Sequence, residues 1–434
     1  MAGHAGAWRI RPILAVLAVL VVVAGLAGCT GGGDRHRVEA SISVSPSAAL
    51  VDAPVAVTVQ GLPAGARTTL TATAGDSDGV TWSATAQFEA TSTGTVSLDQ
   101  PSLGGSYTGV NPLGLFTLMA PPPGSAPDWF NFPEAGFDVT LRASVGSRAA
   151  ATASVRRQVP SAVGVAEKQL RPAKGGIYGN LYLPTRTGAR RPAVLVFGGS
   201  GGGLTSSLAA ALLAAHGYPS LALAYFKVPG LPQGLHDIPL EYFTSALEVL
   251  RAQPGVDPDH VLVAGESRGG EAALLLGASF PELVNGVIAG VPSSVVNPAP
   301  GPYASRPAWT LRGRPLPAVS PSDFGQPNPP GEARAVIPVE RIRGPILVAC
   351  GEQDLVWPSC GYVDAITARL RAHRFAHPVT ALRYRDAGHV VGGLAAWYGG
   401  MTEDALASFG GTVAGTQAAQ DDAHAKLLAL LASP

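Results

Sequence analysis

Apolar and polar positions follow two different periods along this chain, and the change between them divides it into two regions. In the first region, 41–158, short runs alternate apolar residues with Thr, Ser and other polar residues. The runs are 55–59, 68–73, 80–88, 94–98, 137–143 and 151–155. Alternation of this kind is typical of strands with one buried face. The pattern therefore predicts an all-β, immunoglobulin-like sandwich, which we call the β region.

Beyond residue 165, continuous apolar runs replace the alternation, and segments of helical period separate them. Strands are predicted at 177–183, 192–197, 221–225, 261–264, 284–291, 346–349 and 379–384, and helices at 208–215, 240–250, 271–278, 363–370 and 423–431. Apolar strands that alternate with helices indicate a mostly parallel sheet covered on both faces. We call 165–434 the α/β region. Its residues 293–337, rich in Pro, Ser and Arg, are predicted to form a surface excursion near the candidate site.

The first 28 residues have the three parts of an export signal. Arg9 and Arg11 precede an apolar run at 13–24, and small residues follow it. Residues 26–29, Leu-Ala-Gly-Cys, resemble a bacterial lipobox. This resemblance implies cleavage before Cys29, lipidation of its thiol, and anchoring to a bacterial cell membrane on the side outside the cytoplasm. The alternative is a retained membrane helix, for which the apolar run is short. Residues 29–40 are predicted to form a flexible linker.

Composition narrows the possible partners. The formal net charge of +0 argues against a nucleic-acid partner recognised by bulk electrostatics, and 46% hydrophobic residues supply a large core. The three cysteines form no C-x-x-C pair, and no His/Cys cluster has zinc-ligand spacing, so no structural metal is predicted. In an oxidising compartment Cys350 and Cys360 could form a disulfide. They could equally remain separate thiols, because spacing alone does not fix their Cα separation.

The first candidate for chemistry is the sequence Gly-Glu-Ser-Arg-Gly at 265–269, between a predicted strand and a predicted helix. A G-x-S-x-G sequence in that setting is the nucleophile elbow of α/β-hydrolases. The tight turn requires glycine at both ends and exposes the Ser267 hydroxyl above the sheet. The backbone amide of Arg268, at the start of the helix, is then a candidate oxyanion donor. The alternative is a glycine-rich turn with an incidental serine.

An acid and a histidine must follow such a serine in chain order. Asp354 follows the strand 346–349, and His389 follows the strand 379–384. Because parallel strands end at one edge of a sheet, we expect Ser267 as nucleophile, His389 as general base and Asp354 as the carboxylate that orients it. Asp386 is the rival acid, but it lies only three residues before the histidine. The weaker histidine candidates are expected to be surface or capping residues: His216, His236, His373 and His377.

A glycine-rich loop, 198–203, follows the strand 192–197. Glycines let backbone amides approach a substrate oxygen closely, so Gly199 is predicted to supply the second oxyanion donor. A phosphate-binding loop is the competing interpretation. We discount it because residues 198–203 lack the G-K-[ST] ending and the dinucleotide fingerprint. No metal or redox cofactor is required by these residues. In the β region, 104–115 and 121–132 are loops for which packing between the two regions is favoured over a contribution to an acyl pocket.

Taken together, these motifs resemble the type I acyl-CoA thioesterases and the bile acid-CoA:amino acid N-acyltransferases. The resemblance covers about 50–432 and rests on Gly-Gly-Ser-Tyr at 104–107, Pro-Leu-Gly-Leu at 112–115, 197–204, 223–225, 240–243, 265–271, 337–340 and Trp357. It implies a β-sandwich followed by an α/β-hydrolase domain, with the catalytic triad on Ser267, Asp354 and His389. The export segment and the pair Cys350 and Cys360 depart from the family pattern.

The nucleophile indicates the type of reaction. Family members that transfer acyl groups to amino acids use cysteine, whose thioester amines attack readily, whereas a serine ester reacts poorly with amines. We therefore expect hydrolysis of an acyl thioester through an ester on Ser267, with a small acyl thioester or ester as substrate. An exported carboxylesterase is the alternative, followed by an N-acyltransferase and a non-catalytic surface lipoprotein.

Overall fold

The computed structural model describes residues 39–125, 128–171, 176–186, 188–327, 329–393 and 399–433. The predicted signal peptide, the lipidation site Cys29 and most of the predicted linker lie outside the described residues. Glu39–Pro434 form one compact unit, which contains both the β region and the α/β region. None of the helices described is long and apolar enough to cross a lipid bilayer.

The β region contains two sheets. Its elements are β1 (Ser41–Ser45), β2 (Ala48–Leu50), β3 (Ala56–Gln60), β4 (Arg67–Gly75), β5 (Thr81–Glu89), β6 (Val96–Ser97), β7 (Gly104–Gly105), α1 (Gly114–Thr117), β8 (Phe137–Val145) and β9 (Arg148–Gln158). One sheet has the order β1-β3-β6, and the other has the order β2-β9-β8-β4-β5-β7. In β5 burial alternates along the strand, and Trp82 and Phe88 point to the interior. Buried side chains from both sheets form a single core, so the predicted alternation corresponds to a two-layer β structure.

The α/β region is built on an eight-stranded sheet with the order β10-β11-β13-β12-β15-β16-β19-β20. Its elements are β10 (Val165–Leu170), β11 (Tyr178–Pro184), β12 (Arg191–Phe197), α2 (Ser207–Ala215), β13 (Ser220–Ala224), β14 (Ile238–Pro239), α3 (Leu240–Arg251), β15 (Val256–Glu266), α4 (Arg268–Ser279), β16 (Val287–Gly290), β17 (Trp309–Leu311), β18 (Arg314–Pro315), β19 (Ile346–Gly351), α5 (Ser359–Ala372), β20 (Val379–Tyr384), α6 (Glu403–Leu406) and α7 (Val413–Ala432). From β13 through β20 neighbouring strands are parallel, while β10 and β11 pair antiparallel at one edge. This is the sheet of an α/β-hydrolase fold, as predicted.

Three features differ from the sequence prediction. Helix α7 begins at Val413, ten residues before the predicted start. The prediction missed its first turns because they carry Thr, Gln and Asp residues without apolar periodicity. Strand β10 was not expected, since its residues are mostly exposed and lack an apolar run. The surface excursion predicted for 293–337 is wrong in part, because β17 pairs there with β14 and Trp309 is fully buried.

The parallel strands bring distant residues to one edge of the sheet. The carboxyl ends of β12, β15, β19 and β20 lie at the same edge of the sheet, with β16 between β15 and β19. The register pairs Phe197 with Gly265 and Gly351 with Tyr384. The loops that follow these four strands contain Gly199, Ser267, Asp354 and His389. The topology alone therefore collects the predicted site residues at a single edge.

Candidate active site

Ser267 is the single residue between β15 and α4, and its backbone is strained. Its φ is +54° and its ψ is −121°, a conformation that side-chain-bearing residues rarely adopt. A Cβ atom at Gly265 would collide with the carbonyl group of Gly269, and one at Gly269 would collide with the carbonyl group of Gly198. Glycine is therefore required at both ends of the turn, and this requirement explains the G-x-S-x-G spacing in physical terms.

The structure brings Ser267, His389 and Asp354 into one hydrogen-bonded series. His389 Nε2 lies 2.8 Å from Ser267 Oγ, and His389 Nδ1 lies 2.9 Å from Asp354 Oδ2. Asp354 Oδ1 also accepts hydrogen bonds from the backbone amides of Val356, at 2.9 Å, and Trp357, at 3.2 Å. These amides fix the carboxylate, so the imidazole donates from Nδ1 and presents Nε2 to the serine hydroxyl.

Two aromatic rings hold the imidazole of His389 in place. The Trp357 ring packs edge-on at 5.7 Å between centroids, and the Phe409 ring stacks at 6.4 Å. Asp386, the rival acid, is exposed, and its carbonyl group accepts a hydrogen bond from the Thr412 amide. The structure therefore places Asp354, and not Asp386, behind the histidine.

Cys350 and Cys360 form a disulfide with a Cα separation of 5.0 Å. Cys350 lies in β19, and Cys360 lies in the first turn of α5. The loop that carries Asp354 runs between them. The covalent link therefore limits how far this loop can move from the end of the sheet.

A buried ionic network lies beneath the elbow. The Arg268 guanidinium pairs with Glu271 at 3.1 Å, and it donates a hydrogen bond to the Asn297 carbonyl oxygen. Glu271 also accepts hydrogen bonds from Trp309 Nε1, at 2.7 Å, and from the backbone and side chain of Asn297. Burial raises the pKa of the Glu271 carboxyl, and the charge of Arg268 opposes that rise. The Arg268 side chain thus anchors the start of α4 and leaves its backbone amide for the site.

Sequence reasoning singled out Arg268 for its amide and missed this network. Glu271 was visible as the acid three residues further along the same helix, a spacing at which side chains meet. Asn297 and Trp309 had no comparable signal, since both lie in the segment predicted to be a surface excursion. Their burial follows from long-range contacts with Glu271 on α4.

The glycine-rich loop lies directly against the nucleophile. A Cβ atom at Gly199 would lie 2.9 Å from Ser267 Cβ, so only glycine allows this approach. The hydroxyl of the buried Tyr225 donates hydrogen bonds to the carbonyl oxygens of Gly198, at 2.8 Å, and Gly199, at 3.2 Å, and thereby fixes the loop.

Glu266, the residue before the nucleophile, is a second carboxyl group in this site that sequence reasoning missed. Burial raises the pKa of Glu266, while the nearby His389 ring, when it is protonated, and a hydrogen bond from the Gly199 backbone oppose that rise. The Gly199 amide, predicted to be an oxyanion donor, therefore has an acceptor of its own in this structure. The sequence did contain a signal for Glu266. An acid directly before Ser267 must lie at the same edge of the sheet as the nucleophile.

A cavity of about 660 Å³ opens above Ser267 and His389. Most of its wall is apolar, and it includes Val196, Leu208, Val356 and Phe409. The β region contributes Trp129 and Asn131 to the wall. Both belong to the loop 121–132, so this loop reaches the cavity as well as packing against the α/β region through the buried Phe130. A cavity of this size and polarity accommodates an apolar chain attached to a carbonyl group.

Comparison with known proteins identifies relatives of both regions. Residues 52–171 match the family described as acyl-CoA thioester hydrolase/BAAT N-terminal region, and residues 238–433 match BAAT/acyl-CoA thioester hydrolase C terminal. Acyl-coenzyme A thioesterase 1 of Rattus norvegicus is 30% identical over 82% of this chain and 86% of its own length. Acyl-coenzyme A amino acid N-acyltransferase 1 of Mus musculus is 30% identical over 80% of this chain and 85% of its own length.

Among solved structures, a putative dienelactone hydrolase from Klebsiella pneumoniae covers 62% of this chain and 98% of its own. It has a TM-score of 0.42 and 17% sequence identity.

Proposed function

The chain belongs to the acyl-CoA thioester hydrolase/BAAT family, and on that basis we propose that it hydrolyses acyl thioesters through an ester on Ser267. The observation that carries the proposal is the hydrogen-bonded series from Asp354 through His389 to Ser267, which lies at the base of the apolar cavity. The similarity to a rat thioesterase, over most of both chains, supports a thioester as the bond that is cleaved.

In the first half-reaction, Ser267 Oγ attacks the acyl carbonyl carbon while His389 Nε2 accepts the hydroxyl proton. Asp354 stabilises the resulting imidazolium ion. The carbon–sulfur bond then breaks, and the thiolate leaves with the proton that His389 returns. In the second half-reaction, His389 deprotonates a water molecule, which attacks the acyl-serine. The carboxylic acid is released, and Ser267 regains its proton.

The backbone amides of Arg268 and Gly199 are the proposed oxyanion donors. Arg268 is the first residue of α4, where backbone amides have no acceptor within the helix. Gly199 lies against the nucleophile. For Gly199 to donate to the oxyanion, its amide must exchange the Glu266 carboxyl for the substrate oxygen. Loss of one such donor costs about 10²- to 10³-fold in kcat.

Hydrolysis is favoured over transfer of the acyl group to an amine, although the mouse N-acyltransferase is a relative of similar identity. The nucleophile is a serine, and its oxygen ester is a poor acceptor for amine attack. Water is abundant in an open cavity, and His389 activates it without a second substrate.

We also propose that the β region is immunoglobulin-like and that the protein is exported and lipid-anchored. An immunoglobulin-like connectivity of the β region is supported by its two sheets, of order β1-β3-β6 and β2-β9-β8-β4-β5-β7, whose buried side chains form one core. Export and lipidation of Cys29 are supported by the signal-like sequence of 1–28 and by the disulfide, since disulfides persist in oxidising compartments. The protein would then face outward from a bacterial cell membrane.

The activity is tested with purified protein, a panel of acyl-CoA thioesters and the matching p-nitrophenyl esters. We expect turnover of the thioesters, and we expect Ser267→Ala to lower kcat about 10⁶-fold. Ser245→Ala, which removes an exposed hydroxyl from α3, is the matched control and should behave like the wild type. Turnover of the oxygen esters alone would identify a carboxylesterase, and equal, negligible turnover by wild type and Ser267→Ala would end the hydrolase proposal.

The anchor is tested by expression in a bacterial host that processes lipoproteins. We expect the wild type in the membrane fraction, with a mass that includes acyl chains on Cys29, and Cys29→Ala in the soluble fraction. Equal partitioning of the two proteins would contradict lipidation.

A further inference from the structure

Three residues from distant parts of the chain meet where the β region contacts helices α2 and α7. Asp52 lies just after β2, His216 caps the C-terminus of α2, and His424 lies in the middle of α7. His216 Nε2 lies 2.6 Å from Asp52 Oδ2, and His424 Nε2 lies 3.2 Å from the same oxygen. One potential ligand atom from each residue falls within 4.8 Å of the other two. We call these residues the Asp-His-His cluster.

The loop that carries Asp52 is held rigidly. The Arg157 guanidinium donates hydrogen bonds to the carbonyl oxygens of Val51, at 2.6 Å, and Ala53, at 2.9 Å. These residues flank Asp52 on both sides, so its side chain has little freedom to turn away. A carboxylate supported in this way is preorganised for a partner.

The cluster is enclosed on most sides. The side chains of Asp52 and His424 are only 1% and 6% exposed, whereas His216 is 29% exposed. The partly exposed imidazole is therefore the side from which water or an ion enters.

Two buried carboxylate oxygens in or next to the cluster have no hydrogen-bond partner among the described residues. Asp52 Oδ1 is buried and has no hydrogen-bond partner among the described residues. Asp421, one helical turn before His424, also has a buried Oδ1 without a partner in the part of the chain that the structure describes. A buried carboxylate oxygen normally pairs with a hydrogen-bond donor or a cation, because leaving it unpaired costs free energy.

We propose that Asp52, His216 and His424 bind one divalent transition-metal ion, with Zn²⁺ the best match to two imidazole nitrogens and a carboxylate. Such sites place the ion about 2.0–2.2 Å from each ligand, and a water molecule at the exposed side of His216 supplies the fourth ligand. On binding, the ion replaces the protons that link the imidazoles to Asp52, and these protons leave to solvent. The ion ties the β region to two helices of the α/β region.

A metal at this cluster departs from the sequence prediction of no structural metal. That prediction rested on the lack of a compact cysteine and histidine motif, whereas Asp52 and His424 are 372 positions apart. None of the three residues lines the cavity above Ser267, so the ion would stabilise the assembly of the two regions rather than take part in hydrolysis.

The test uses the full chain without a purification tag, stripped with a chelator and then titrated with Zn²⁺ or Co²⁺. We expect one equivalent of metal by elemental analysis, a rise in Tm of several degrees, and a visible Co²⁺ absorption band. His216→Gln, which keeps a hydrogen-bond donor and sits at the exposed side, should weaken metal binding more than about 100-fold, as should Asp52→Asn. Both variants are expected to fold, which circular dichroism would verify.

His260→Ala is the matched control. His260 also hydrogen-bonds an aspartate, Asp257, at 2.7 Å, but its side chain is 56% exposed, and among the described residues no third potential ligand joins this pair. It should bind metal like the wild type. Failure of the wild-type chain to retain one equivalent would overturn the proposal and leave a hydrogen-bonded cluster only. Retention of that equivalent by His216→Gln and Asp52→Asn would place the metal elsewhere and overturn it as well.

Discussion

Two buried clusters in this molecule combine histidine with aspartate, and they differ in which group stands at the centre. In the active site the imidazole of His389 lies between the Asp354 carboxylate and the Ser267 hydroxyl. In the Asp-His-His cluster the carboxylate of Asp52 lies between two imidazoles. A central imidazole can accept the serine proton while the carboxylate stabilises the positive charge that results, whereas a central carboxylate holds two imidazoles together. The order of the groups, rather than their identity, therefore decides the chemistry.

The surroundings of the two clusters reinforce the difference. The Ser267 and His389 side chains line an open cavity of about 660 Å³, where a substrate can reach them. The Asp-His-His cluster lies between the β region and two helices, with only His216 partly exposed. Substitutions in the first cluster should therefore change turnover, and substitutions in the second should change stability.

Of the two cluster carboxylates, Asp354 has the larger expected effect when it is changed to Asn. The amide keeps the shape of the side chain but favours the wrong imidazole tautomer, so kcat should fall about 10⁴-fold with little change in Tm. Asp386→Asn alters the exposed rival acid three residues before His389 and should change kcat less than about twofold. Steady-state kinetics of both variants would check this, and a larger loss in Asp386→Asn than in Asp354→Asn would reverse the assignment of the acid.

A smaller effect, on stability rather than on turnover, is expected from Asp52→Asn. Measured in chelator, it should lower the free energy of unfolding by about 3 kcal/mol, because the partners of a buried ion pair lose their counter-charge. Turnover per folded molecule should remain within about threefold of the wild type. Asp257→Asn removes the carboxylate of the exposed His260 pair and should cost less than about 1 kcal/mol. Loss of turnover without loss of Tm in Asp52→Asn would break the comparison between the clusters.

The features that the sequence could predict are those that depend on a local pattern. The elbow was predictable because strand, turn glycines and helix are consecutive, and the strained φ of Ser267 follows from that local arrangement. Asp354 and His389 were predictable because each follows an apolar strand, and parallel strands end together. The alternating runs of the β region likewise correspond to strands with one buried face. In all these cases a local pattern and a topological rule were sufficient.

The remaining features depend on contacts that no local pattern encodes. His216 was expected to be a surface or capping residue, and it caps α2, but its pairing with Asp52 depends on how the β region docks. Trp129 reaches the cavity from a loop for which simple packing was favoured. Trp309 is buried because it meets Glu271 on α4, although the residues around it have no period. Long-range packing decided each of these positions.

The smallest expected effect concerns Glu266, which belongs to neither cluster. Burial raises the pKa of this carboxyl, so the folded protein holds its proton more tightly than the unfolded chain does. The unfolded chain therefore releases the proton first, and the folded state loses stability as pH rises above the ordinary glutamate value of about 4.3. Glu266→Gln cannot ionise and should escape that loss. Its Tm relative to wild type should increase by a few degrees between pH 4 and pH 8.

Glu282→Gln, at an exposed glutamate, is the matched control and should show no such trend. The trend is measured as the difference in Tm between each variant and the wild type, which cancels the other titrating groups of the chain. A difference that decreases with pH for Glu266→Gln would mean that the Glu266 carboxylate is stabilised by its surroundings. In that case the hydrogen bond from the Gly199 amide would outweigh burial, and the amide would be held more firmly away from the oxyanion of the substrate.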